Sequence, residues 1–327
     1  MSTAERFQEF AAVAAAGGSP IYADWAGAIA GDPRLVEIVD AAPAGSRQPV
    51  LVLAVCRILG AQLSSFGSLR AWMLDHADAL VLELGRRLTQ TNDVRRSGPV
   101  ALALASAGIT GPIALLEVGA SAGLGLYLDR FALAVTAEGS AFTLGDTTSD
   151  VRLATEVAGP WWGDEDPTLP RIEARLGLDL QPLAVTDDDA RRWLETLLWP
   201  GQEDRVDLLR AALRVAVQDP PTLVTGDAVD GLEELVARSP LGLTPVVVST
   251  GTLVYLPGAR RQAFVDLVTR LGVRWIAYER TGLLSGVQAT VSDPGRFTGR
   301  PEAFATLSLD GVALAVGDPH GTRVQPV

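Results

Sequence analysis

Ile113-Ala114-Leu115-Leu116-Glu117-Val118-Gly119-Ala120-Ser121-Ala122-Gly123-Leu124-Gly125-Leu126-Tyr127-Leu128-Asp129 is the stretch around which the chain is read. An apolar run reaches an acid at Glu117, crosses the small residues Gly119 to Gly123, and re-enters an apolar pattern at Leu124, Leu126, Tyr127 and Leu128. The pattern predicts a buried strand, a glycine turn and a helix start. In open α/β sheets ligands bind beyond the carboxyl ends of strands, and a turn of this kind offers backbone N–H groups at a helix N-terminus.

Downstream, the pattern alternates between strand and helix. Phe131–Thr136 and Phe142–Leu144 read as a hairpin across Glu138-Gly139-Ser140, and Val151–Pro170 as a loop-rich insertion with Trp161 and Trp162. Ile172–Leu180 reads as a strand with Asp179 near its end, Thr186 and Asp189 as a capping box, and Glu203–Val217 as a helix. Thr222–Asp227 is a short strand ending in an acid, Pro245–Ser249 a fully apolar strand, Ala259–Leu271 a helix and Val273–Tyr278 a strand. Asp310-Gly311, between Phe304–Leu309 and Val312–Val316, is a hairpin signal.

Upstream, the first hundred residues read as helical. Ser2 and Glu5 form a capping box before Phe7 and Phe10, Gly31 ends a second helix, and Asp32-Pro33 opens a third. Helices are expected through Leu53–Leu63 and Leu69–Leu84, with His76 on the apolar stripe as a satisfied core or interface histidine. Gln90, Thr91, Asn92, Asp93, Arg95 and Arg96 then interrupt before an apolar helix, Val100–Ala107. Spacing alone makes that polar cluster a helix cap. The domain reading is therefore a helical region over residues 1–110, acting as a lid or substrate-binding layer, and an α/β domain over 111–327 with an insertion near 130–170.

Composition removes several chemistries. The 27 cationic residues are all arginine, and the lack of lysine excludes a P-loop and a lysine Schiff base. One cysteine (Cys56) and two histidines (His76, His320) leave no zinc or C-x-x-C pattern, so no metal is expected. A net charge of −12, nearly all of it after residue 110, argues against a nucleic-acid partner. Glu5 and Glu9 stand where a secretory signal needs a basic flank, and Gly108, Gly111 and Pro112 cut the charge-free run Ser97–Leu116. The expectation is a cytoplasmic protein with a small-molecule substrate, no membrane partner and an undetermined oligomeric state.

Two chemistries fit the glycine turn. Read as acid-x-G-x-(G/S)-x-G from Glu117, it resembles the first motif of class I S-adenosylmethionine-dependent methyltransferases. Read as G-x-S-x-G, it is the nucleophile elbow of an α/β-hydrolase, with Ser121 as nucleophile and an Asp and His320 following in hydrolase order. Against the elbow, no strand of the same sheet precedes it and no glycine-rich oxyanion segment is present. The methyltransferase resemblance implies a Rossmann-like, mostly parallel sheet closed by an antiparallel hairpin. It implies S-adenosylmethionine held by Glu117, Gly119, Ala120, Ser121, Gly123, Asp179, Asp227 and Ala228, with Ser249 and Thr250 across from the turn. Glu138 rivals Asp179 for the ribose, and His320 and Tyr255 are the candidates for acceptor contact. A third reading is a non-catalytic nucleoside-binding or interaction protein on the same fold.

The chain also resembles an uncharacterised bacterial family, domain of unknown function 2332. The likeness rests on Ser19-Pro20-Ile21-Tyr22, Gln90-Thr91-Asn92-Asp93-Val94, Glu117 to Leu124, Trp199-Pro200-Gly201-Gln202 with Arg205, Gly226-Asp227-Ala228 and Pro319-His320-Gly321. It implies that Gln90, Asn92 and Arg95 bind substrate rather than merely cap a helix. The chain departs from that pattern at Gly125, where Asn is usual, and at Ser249, where His is common. Serine cannot abstract a proton at neutral pH, so this chain lacks any base that such a histidine would supply.

Overall fold

The computed structural model describes residues 1–163, 166–297, 299–300 and 303–327. Helices α1 (Thr3–Ala16), α2 (Pro20–Ala30), α3 (Pro33–Asp40), α4 (Pro49–Ile58), α5 (Phe66–Asp75) and α6 (Ala77–Leu84) open the chain. Ser2 and Glu5 form the reciprocal capping box ahead of α1, and Asp32 caps α3 with Pro33 in its first turn. The stripe from Leu69 to Leu84 is two helices rather than one, because His76 leaves helical backbone at φ −119°, ψ 21°. His76 is exposed, not a core residue: its ring stacks on Trp72 at 4.5 Å and its Nδ1 meets the Trp72 carbonyl at 2.8 Å.

Helix α7 (Ser97–Ala105) precedes β1 (Ile113–Val118), β2 (Ala132–Glu138), β3 (Ser140–Gly145), β4 (Arg152–Pro160) and β5 (Ile172–Asp179). There follow α8 (Asp188–Leu197), α9 (Glu203–Gln218), β6 (Thr222–Thr225), α10 (Leu232–Ala237), β7 (Thr244–Thr250), α11 (Gly258–Leu271), β8 (Arg274–Arg280) and α12 (Ser285–Gln288). The last elements are β9 (Ala305–Leu309), β10 (Val312–Gly317) and β11 (Arg323–Pro326). Asp187, not Thr186, caps α8 by accepting from the Asp189 N–H. No helix among the described residues is long and apolar enough to cross a membrane.

Contacts divide the chain into two compact units, residues 1–91 with 187–207 and residues 92–186 with 208–327. This division differs from a cut at residue 110, since α7 belongs to the second unit and α8 to the first. In the first unit, Phe7, Trp25, Ile29, Leu53 and Trp193 are buried. Arg57 donates to the carbonyls of Thr196 and Leu198 at 2.8 Å each and so closes the end of α8. Two of the family stretches meet here. Trp199 lies edge-on to Phe10 at 5.1 Å, Gln202 donates to the Gly17 carbonyl at 2.9 Å, and Arg205 donates to Gln202 at 2.8 Å, bracing the turn that leads into Ser19-Pro20.

The second unit is built on a sheet with eleven strands among the described residues, in the order β3-β2-β4-β11-β10-β9-β8-β7-β1-β5-β6. It is a mixed α/β arrangement, mostly parallel. The five strands β6-β5-β1-β7-β8 are parallel neighbours, with Glu117 opposite Gly177 on one side and Val248 on the other. Every residue of β1 is buried, as a strand covered on both faces requires. Ala114, Leu116 and Val118 point into a cluster with Leu232, Leu235, Phe264 and Val268 of α10 and α11. Glu117, by the alternation of a strand, points to the other face, where α7 and the 3-10 segment Leu124–Arg130 lie.

Three further expectations are corrected. The glycine turn leads into the 3-10 segment, not an α-helix: Tyr127 has φ −105°, ψ 19°, and Arg175 of β5 takes the Leu126 carbonyl, which a continuing helix would use, while also pairing with both Asp129 carboxylate oxygens. The region 151–170 is not a loop-rich insertion, because β4 pairs in parallel with β2 and β11; Asp164 and Glu165 of that stretch lie outside the described residues. The β9–β10 hairpin, turned at Asp310 and Gly311 (φ 52° and 84°), does not close the sheet, which continues through β11 to β4, β2 and β3.

Candidate functional site

Strand order reverses between β1 and β7, so the crevice beyond their carboxyl ends is the place where such a sheet holds ligands. The turn there alternates its backbone, with φ 75° at Gly119, 52° at Ser121 and 70° at Gly123. Gly119 has no room for a side chain, since a Cβ would sit 2.2 Å from the Thr252 hydroxyl. The Gly119 and Ala120 N–H groups donate to the Leu178 carbonyl (2.8 and 3.1 Å), Ser121 N–H to Asp179 (2.8 Å) and Gly123 N–H to Ala120 (2.6 Å). Those donors, expected to be open to an anion, are consumed within the protein. Asp179 also accepts from Gln181 N–H at 2.9 Å, so its carboxylate locks the turn to the end of β5.

Glu117 is 6% exposed, and its Oε2 is buried without a hydrogen-bond partner among the described residues. Burial, reinforced by the charge of Asp179 and opposed by Arg96, pushes its carboxyl up to about 8. A Cβ on Gly125 would stand 2.7 Å from Glu117 Oε1, so the glycine leaves space for the acid.

Glu279, at the end of β8, is the second buried acid, at 2% exposure. It accepts from Thr252 N–H at 3.1 Å and from Leu253 N–H at 3.2 Å, and hydrogen-bonds Ser249. Burial raises its carboxyl to about 7 against those bonds and the charge of Arg96. Ser249, fully buried, also accepts from Trp275 Nε1 at 3.3 Å, so its hydroxyl faces β8. The neighbouring Thr250 carbonyl accepts from Arg96 at 3.3 Å.

The other nominated residues divide by position. Asn92 donates to the Ala120 carbonyl of the glycine turn at 2.8 Å. Arg95 makes a two-pronged ion pair with Asp93 (2.9 and 2.7 Å), and His320 Nδ1 meets Asp93 Oδ2 at 2.9 Å. Asp227, at the end of β6, accepts from Val229 and Asp230 N–H groups and pairs with Arg260, while Ala228 packs on the core cluster. Tyr255 is 68% exposed on the loop after β7. Gln90 is buried in the first unit. Glu138 ends β2, separated in the sheet from β1 by β4, β11, β10, β9, β8 and β7, so Asp179 alone of the two ribose candidates adjoins the turn. Among the described residues no group of three or more His, Cys, Asp or Glu is placed to hold a metal ion.

Three further residues belong to the site without a motif of their own: Asp93 and Arg96 in the polar cluster, and Glu279. Glu279 carries a sequence signal all the same: like Glu117, it is an acid ending an apolar strand.

Fold and site together define a mixed α/β protein with a ligand crevice candidate at the switch point of a large, mostly parallel sheet. The family described as "Uncharacterized protein conserved in bacteria (DUF2332)" matches residues 4–325, and the chain belongs to it. No curated protein and no solved structure matches the chain.

Proposed function

We propose that the crevice beyond β1, β5, β6 and β7 binds S-adenosylmethionine and that the protein is a methyltransferase acting on a small molecule. The observation that carries this reading is the buried carboxyl of Glu117 beside Asp179, its Oε2 without a hydrogen-bond partner among the described residues, at the switch point of a sheet whose parallel strands run 3-2-1-4-5 in their own chain order. That order is the one used by nucleoside-binding sheets. A dinucleotide's pyrophosphate would meet two acids and a turn whose Gly119, Ala120, Ser121 and Gly123 N–H groups are already bonded, whereas a cationic amino-acid tail on adenosine would meet a waiting acceptor.

Glu117, Asp179 and the Gly119–Gly123 turn would hold the amino-acid and ribose side of the cofactor, with Asp227 and Ala228 toward its base. When bound, that cofactor supplies an electrophilic methyl group on a sulfonium. The protein's part is then to hold two reactants in line, which can account for most of such a rate.

Titration calorimetry with S-adenosylmethionine and S-adenosylhomocysteine tests the reading. The expected result is micromolar binding that weakens roughly tenfold or more in E117Q, about the value of one charge-assisted hydrogen bond. Absence of heat with either ligand overturns it.

One observation favours a second reading. Ser121 has the positive φ of a nucleophile elbow, and the chain has an Asp-paired imidazole at His320. Covalent labelling of Ser121 by a fluorophosphonate would support a serine hydrolase.

A further inference from the structure

The segment from Asn92 to Arg96 is tied to three separate parts of the second unit. Asn92 bonds the Ala120 carbonyl in the glycine turn, and Arg96 bonds the Thr250 carbonyl at the end of β7 and the Pro319 carbonyl at 3.1 Å. Between those anchors, Asp93 holds His320. The imidazole is thereby stationed beside the carboxyl ends of β1 and β7. Its backbone is fixed as well, since the His320 N–H donates to Asp318 Oδ1 at 2.7 Å.

The side chain of Asp93 is 5% exposed and that of His320 is 40% exposed. A carboxylate only accepts, so the ring nitrogen facing it, Nδ1, carries the proton, and Nε2 presents a lone pair. Nε2 has no partner among the described residues. Among the described residues, the charged groups bonded into this cluster are Asp93, Arg95, Arg96 and Asp318.

We infer that Asp93 and His320 form a proton-accepting dyad and that the acceptor it serves is a hydroxyl-bearing small molecule; the choice of acceptor rests on the methyl-transfer reading. The acceptor's O–H bond breaks, its proton bonds to Nε2, and the electron pair stays on oxygen, which becomes the nucleophile. Asp93 balances the imidazolium, and the half-exposed ring returns the proton to water. A neutral amine already has its lone pair and needs no base before attack. The guanidinium groups of Arg95 and Arg96 also favour an oxyanion over an ammonium.

The full chain labelled with 15N-histidine provides the first test, because the sequence has only two histidines and H76Q leaves His320 alone in the spectrum. The expected neutral ring is protonated at Nδ1, and D93N inverts it, because the new amide donates to Nδ1. A wild-type ring protonated mainly at Nε2 overturns the dyad. The second test supplies 13C-methyl S-adenosylmethionine with catechol, benzyl alcohol and benzylamine as probes. A 13C-methyl ether that falls roughly 100-fold or more in D93N and H320Q supports the inference. Methylated benzylamine alone, or no ether while S-adenosylhomocysteine binds, overturns the hydroxyl assignment. Equal binding of S-adenosylhomocysteine by wild type, D93N and H320Q assigns the loss to proton transfer. No binding by wild type removes the methyl-transfer reading and its acceptor, and the ring tautomer then decides the dyad alone.

Discussion

Glu117 and Glu279 end two parallel strands of one sheet, both are nearly inaccessible, and both feel Arg96, yet they are built for different work. Around Glu279 the chain has folded two backbone N–H groups and the Ser249 hydroxyl onto the carboxyl, so the acid organises the loop after β7. Around Glu117 it has left Oε2 without a hydrogen-bond partner among the described residues and set another acid nearby. A buried polar group with its bonds made is structural reinforcement; one left with an unbonded oxygen costs stability and is the place to look for a ligand.

The largest effect that would test this contrast is E279A. Removing the acceptor strands the Thr252 and Leu253 N–H groups, and the expected loss is about 3 kcal/mol in urea denaturation. A loss below about 1 kcal/mol would erase the distinction between the two acids.

The next is the pH dependence of stability. The folded chain keeps Glu117 protonated up to about 8, whereas the unfolded chain releases that proton near 4.5. Between those values the native state binds more protons, so wild-type stability falls as pH rises. Glu279 adds to the fall up to about 7. E117Q is expected to flatten the upper part of the curve and to exceed wild type by on the order of 2 kcal/mol at pH 8. An unchanged slope from pH 5 to 8 would show that Glu117 is charged throughout.

The smallest effect concerns the packing of Gly125 on Glu117. G125A is expected to cost about 1 kcal/mol alone and less in an E117A background, where the 2.7 Å approach disappears. Additive losses would mean that the glycine serves only its own segment.

Much of the fold could be read from local pattern. The apolar run of β1, the Asp310-Gly311 turn and the Ser2–Glu5 box carry their structure within a few residues. What escaped depends on partners far along the chain. Whether Leu124–Arg130 becomes a helix is decided by Arg175, and whether Glu138 or Asp179 adjoins the turn is decided by strand order. Strand β4 was legible in principle, since Leu153, Thr155 and Val157 alternate with exposed Arg152, Ala154 and Glu156, but nearby prolines and tryptophans pointed to a loop. In the site, Glu117 and His320 could be nominated from their motifs. The pairing of His320 with Asp93 joins residues 227 positions apart, and no spacing rule reaches that far.

The position of β11 has a consequence for how the protein is made. Strands β2, β3 and β4 join the rest of the sheet through β11, which pairs with β4 on one side and β10 on the other. On the ribosome, β4 is finished at Pro160 and its partner begins only at Arg323. For that whole interval of synthesis one edge of β4 is open, a template for wrong pairing, and the nascent chain is vulnerable to aggregation there until β11 emerges.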